Sequence, residues 1–188
     1  MTAAKLQEVA LMRFATQGFE GTSMNELAED VGIKKSSIYA HFSSKDELFL
    51  SLLPILIESE LDYVRTVMTQ NDAIKPALYA YLESISTRFE SSYHVRFWLR
   101  NLYAPPVHLR DEVIGHMQCF MDELEVIIHA AIESSTWHTN ASVSTALITA
   151  NYMAMVDGLQ TELLFGGIER YQKRLTATWQ WFELALRV

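Results

Sequence analysis

The sequence predicts an all-α protein of about nine helices, the first three forming a helix-turn-helix domain at 1–46 and the rest a helical second domain at 47–188. Three observations predict this. Apolar residues recur at three- and four-residue spacing along nearly the whole chain, and no alternating β pattern, internal repeat or low-complexity tract interrupts them. The runs are separated by Gly18, Gly32, Pro105-Pro106 and Gly166-Gly167, residues that end or bend helices. Between Thr22 and Lys45, two very short helical patterns meet at a Gly turn.

Leu6, Val9, Ala10 and Phe14 give helix 1 its inner face, and Gly18 ends it. Ser23 and Glu26 have the capping-box spacing, so a second helix starts there, with Met24, Leu27, Ala28 and Val31 on one side. Gly32 accepts the left-handed backbone that closes it. A third helix restarts near Lys34, its inner face Ile38 and Phe42, and Phe19 is expected to plug the core these helices share. Ser44 and Glu47 repeat the capping spacing and open a long helix from Lys45 to Thr69, which Pro54 should kink. Asn71-Asp72 to Pro76 reads as a break, followed by helices at Ala77–Glu90, Tyr93–Tyr103 and Val107–Glu133. Polar residues 134–142 form a loop. Helices at Val143–Phe165 and from Ile168 onward complete the pattern around Gly166-Gly167.

With 188 residues, 49% of them hydrophobic, the chain can bury a sizeable core. Its formal charge of -8 argues against a generally basic surface, so any contact with nucleic acid must be local. One patch qualifies: no acid lies between Asp30 and Asp46, whereas Lys34, Lys35 and Lys45 do. Together with Ser36, Ser37, Tyr39 and His41 they offer cations and hydroxyls suited to phosphates and base edges. A solvated basic hairpin would show the same charges. The lone Cys119 permits no intrachain disulfide and fits a reducing cytoplasm. The N-terminus lacks the apolar core of a signal peptide, and the most apolar stretch, near Leu48–Ile57, is too short to span a bilayer. A cytoplasmic protein with no membrane partner is expected.

The run from Gly18 to Phe49 resembles the N-terminal signature of the TetR family of transcriptional regulators. The matches are Gly18-Phe19, Gly21-Thr22-Ser23, Leu27-Ala28, Val31-Gly32-Ile33, Ile38-Tyr39, His41-Phe42 and Ser44-Lys45. Lys34 stands where the family commonly has Ser or Thr, and Ser36 where a small residue is usual. The resemblance implies double-stranded operator DNA as partner, with Lys35, Ser37, Tyr39 and His41 at positions that commonly reach it. Thr22 and Lys45, at helix N-termini, are expected on phosphates. Lys34 and Ser36 are candidates for base contact.

The family's usual mode is a repressor, a homodimer released from a near-palindromic site by a ligand. Phe89, Tyr93, Phe97, Trp98, Tyr103, Met117, Phe120 and Met121 form an aromatic and Met cluster suited to a hydrophobic small-molecule effector, though core packing uses the same residues. The last two helices carry apolar surface for a two-fold interface. The dimer residues expected there are Ala150, Met153, Asp157, Thr161, Trp179, Phe182 and Leu186.

The six histidines show no ligand spacing, and no nucleophile elbow, phosphate loop or dinucleotide fingerprint occurs, so no metal, cofactor or catalytic residue is expected. A small helical enzyme with an aromatic cavity, or a protein-binding adaptor, is the alternative. Salt-sensitive duplex binding separates the regulator from both.

Overall fold

A computed structural model of the chain describes residues 3–70, 73–135 and 143–185. Every regular element among them is helical. They are α1 (Ala3–Gln17), α2 (Met24–Val31), α3 (Lys35–Ile38), α4 (Lys45–Leu50), α5 (Leu52–Gln70), α6 (Ile74–Ser91), α7 (Tyr93–Tyr103), a 3-10 turn at Val107–Leu109, α8 (Arg110–Glu133) and α9 (Thr145–Ala185). No helix among the described residues is long and apolar enough to cross a membrane.

The chain divides into two compact units, residues 1–59 with 91–118 and residues 60–90 with 119–188. The boundary expected after residue 46 falls inside the first unit. The reason is packing. Phe97 of α7 lies 5.2 Å from the Phe49 ring and 6.5 Å from Phe14, so α7 completes the core of the N-terminal helices. Phe14, Phe49 and Phe97 are all fully buried there, with Leu6, Ala10, Leu27, Ile38 and Leu48. Edge-on packing of Phe14 and Phe19 against Phe49 matches the geometry that aromatic quadrupoles favour. Arg100 of α7 donates to the Thr16 carbonyl at 3.1 Å, capping the end of α1.

The expected long helix from Lys45 breaks at Ser51, between α4 and α5. Pro54 explains the position: its ring would collide with the Leu50 carbonyl four residues back, and it has no N–H to offer. Placed third in α5, it lies in a first turn, where that N–H would be orphaned anyway. Pro76 sits likewise in the first turn of α6, so a residue expected in a break lies inside the helix. Ile55, next to Pro54, is exposed on the solvent side of α5.

In the second unit, α9 runs through the expected Gly166-Gly167 stop as a kink, because Gly167 adopts φ 74 and ψ -176. Both halves are anchored to α6 by a buried tyrosine. Tyr152 donates to the Leu78 carbonyl at 2.8 Å, and Tyr171 donates to that of Leu82 one turn on. Burial pushes both phenols up from their ordinary range.

Candidate nucleic-acid interface

The helix-turn-helix is built by caps at three of its corners. Ser23 accepts the Glu26 N–H at 3.2 Å while Glu26 accepts the Ser23 N–H at 2.9 Å, so both expected halves of the capping box are present. Gly32 takes φ 73 and ψ 37, and Ile33 donates to the Ala28 carbonyl at 2.9 Å, the six-to-one bond of a Schellman turn. Ser44 accepts the Glu47 N–H at 3.0 Å to open α4. α3 itself is a single turn, and Lys34 at its start supplies no side-chain cap.

Side chains of α3 and the residues flanking it sort by face. Ile38 is 0% and Phe42 6% exposed, whereas Lys34, Lys35, Ser36, Ser37, Tyr39 and His41 face solvent. Lys34 and Lys35 have no described ion-pair partner, so their charge is available to an anion.

Two of the expected contact residues are turned inward. Thr22 is 2% exposed; its hydroxyl donates to the Gly18 carbonyl at 2.9 Å and its N–H to Phe19. Lys45 donates to the carbonyls of Phe19 and Thr22 at 2.8 and 3.1 Å. These two residues therefore lock the turn between α1 and α2, and the outward cations are Lys34 and Lys35.

A clamp with no signature in local sequence holds α2 to α1. Arg13 donates to Asp30 through Nε at 2.5 Å and Nη2 at 2.9 Å, and pairs with Glu26 at 2.9 Å. The bond from Arg13 holds the Asp30 carboxyl below its usual range. Ser23, followed by Arg13, does the same for Glu26. Only the seventeen-residue separation of Arg13 and Asp30 hides the pair, since no local spacing rule reaches that far.

The eight residues expected to hold an effector are divided. Tyr93, Phe97, Trp98, Tyr103 and Met117 belong to the first unit, and Phe89, Phe120 and Met121 to the second. Phe97 and Met117 are core residues of the first unit and Phe120 of the second. Trp98 is buried; Tyr93 and Tyr103 are exposed; Phe89 and Met121 are half-buried.

Of the expected dimer residues, Ala150 and Asp157 are exposed and Thr161 half-buried, while Met153, Trp179 and Phe182 are buried. Trp179 and Phe182 pack 5.5 Å apart, and Tyr152 lies 6.1 Å from Phe182, so these rings belong to the unit's own core. Leu186 lies outside the described residues. The outward apolar face of α9 is offset from the expected one: Leu147 is 53% and Trp181 74% exposed, and with Met155 and Ala177 they line a groove of about 550 Å³. A concavity of about 460 Å³ continues it past Ala154 and Gly158.

Among the described residues, no group of three or more His, Cys, Asp or Glu is placed to hold a metal ion.

Comparison with known proteins agrees with this geometry. Residues 6–52 match the family model of bacterial regulatory proteins, tetR family. The biofilm operon icaADBC HTH-type negative transcriptional regulator IcaR of Staphylococcus epidermidis is 24% identical over 125 residues, 66% of this chain and 64% of that protein. Its Staphylococcus aureus (strain Newman) counterpart is 27% identical over 97 residues, 47% of this chain and 50% of the relative. The chain thus spans between half and two thirds of the length of these relatives. Among solved structures, reduced E. coli NemR superposes with a TM-score of 0.77 at 16% identity, covering 94% of this chain and 95% of that one. FadR of Bacillus subtilis, solved in complex with stearoyl-CoA, gives 0.68 at 13%, covering 99% and 98%. At these identities the structures show a shared fold. The fold, the capped helix-turn-helix and the match over its length agree: residues 6–52 form a helix-turn-helix domain of the kind described by the model of bacterial regulatory proteins, tetR family.

Proposed function

We propose that the chain is a dimeric, ligand-responsive transcriptional repressor that binds a near-palindromic operator. The observation that carries this reading is the sorting of residues 34–42, α3 with its flanks: Lys34, Lys35, Ser36, Ser37, Tyr39 and His41 are outward and Ile38 and Phe42 buried. Lys35, Tyr39 and His41 are assigned to phosphates, and Lys34, Ser36 and Ser37 to base edges. Two copies joined along the outward face of α9 would present two such surfaces, and a spacing of about 34–36 Å would set them in successive major grooves. Repression is supported by the negative regulators among the relatives. Ligand response, with a hydrophobic effector, is supported by a neighbour solved with stearoyl-CoA. For it to act, the effector must prefer the conformation that does not bind DNA.

Selection of bound fragments from a genomic library with the purified protein tests the reading. Recovery of a two-fold symmetric site is expected. On that site Lys35→Ala should weaken binding and reduce the salt slope by about 1. Failure to enrich any duplex at low salt, by a folded dimer, would sink the proposal.

A further inference from the structure

We propose that the second unit holds a binding site for a neutral, planar organic molecule carrying both hydrogen-bond donors and acceptors, in a cavity of about 590 Å³ lined by α5, α6 and the latter half of α9. The family match and the expected aromatic cluster do not assign it. Its wall contains a positioned guanidinium. Arg88 donates to the two Glu60 oxygens at 2.5 and 2.9 Å and through Nε to the Ser84 hydroxyl at 3.3 Å. Its Cζ lies 3.9 Å from the Tyr63 ring centre. Glu60 also accepts the Tyr81 hydroxyl at 3.1 Å, so its lone pairs are nearly filled.

The count of donors decides what Arg88 can still do. A guanidinium has five N–H groups and three are used here, leaving one on each terminal nitrogen. The Arg88 and Glu60 side chains are 18% and 20% exposed. Removing such a pair from water is costly, and fixing it on three neighbours makes a rigid, pre-oriented donor. Burial opposes the Arg88 charge, but bonding to Glu60 outweighs it and the pKa is raised, so the group donates at every working pH.

The rest of the wall selects the ligand. Tyr63, Tyr79, Gln172 and Glu83 line the cavity, and no side-chain hydrogen bond is described for the hydroxyls, the amide or the carboxylate of these four. Formal charges of Arg88, Glu60 and Glu83 sum to -1, which disfavours an anion, while the guanidinium disfavours a compact cation. Tyrosine rings on the wall favour a flat face, and the volume is that of an ordinary small-molecule site. Binding does not depend on the regulator reading; any effect on operator affinity does.

The test is a fluorescence titration of the full-length protein with 7-hydroxycoumarin at pH 6, where the phenol is neutral, beside coumarin-3-carboxylate as an anionic counterpart. Saturable binding of the first, at least tenfold tighter than of the second, is expected. Thr176→Trp, a plug at an exposed position on the wall, should weaken it at least tenfold with the circular dichroism unchanged. Tyr63→Phe keeps the ring beneath Arg88 and removes one hydroxyl, for a loss of about fivefold. Absence of saturation, equal binding of the two probes, or binding in both variants within twofold of the parent would overturn the site. If the probe binds as expected but leaves operator affinity unchanged, the site stands and its link to repression fails.

Discussion

Lys45 donates to the Phe19 carbonyl at 2.8 Å while its ammonium stands 3.9 Å from the centre of the same residue's ring. One side chain at the start of α4 thus grips the turn between α1 and α2 by backbone and ring together.

Replacing that ammonium should therefore cost stability and leave the charge facing DNA unchanged. Lys45→Met keeps an apolar stem, and we expect a loss of about 2 kcal/mol from two charge-assisted bonds and a cation–π contact. Thermal unfolding reads the loss. In parallel, the salt slope of operator binding should stay at the parent value; a decrease near 1 would return Lys45 to the phosphate footprint.

The Arg13 clamp predicts an acid-sensitive N-terminal unit. Asp30 and Glu26 have depressed pKa values in the fold, so their contribution is present above the unfolded carboxylate range and is lost as pH falls through the folded values. Urea midpoints should be level near neutrality and drop below about pH 4.5. Arg13→Gln should flatten that drop in part only, because Ser23 leads the depression of Glu26. An unchanged pH profile in the variant would show that the clamp contributes nothing.

Two tryptophans two residues apart should behave in opposite ways. Trp181 is 74% exposed in the α9 groove, so Trp181→Glu should shift the protein to monomer in sedimentation with its melting temperature nearly kept. Trp179 is 9% exposed and packs on Tyr79 and Phe182, so Trp179→Ala should lower stability by about 3–5 kcal/mol. A dimer that survives Trp181→Glu would move the interface elsewhere.

These contrasts show which features local sequence carries. Caps and turns are legible because their partners lie three to five residues apart: Ser23 with Glu26, Ser44 with Glu47, Gly32 with Ala28. Helical spacing placed Ile38 and Phe42 inward for the same reason. Spacing alone does not say which of two apolar stripes on α9 turns inward, since Trp179 and Trp181 differ only in which neighbours reach them. The place of Lys45 at a helix N-terminus suggests a phosphate ligand, whereas the partners it has in the fold, the Phe19 and Thr22 carbonyls, are backbone atoms more than twenty residues away. The Glu60–Arg88 pair, separated by twenty-eight residues, is invisible to pattern reading for the same reason.

α3 is four residues long, far below the length at which a helix persists in water. It borrows its shape from Ile38, Phe42 and the turns on either side. Its outward positions carry almost none of that duty. Codons 34 to 37 can therefore drift, and a descendant can acquire a different target on DNA, while Ile38, Gly32 and Lys45 stay constrained by folding.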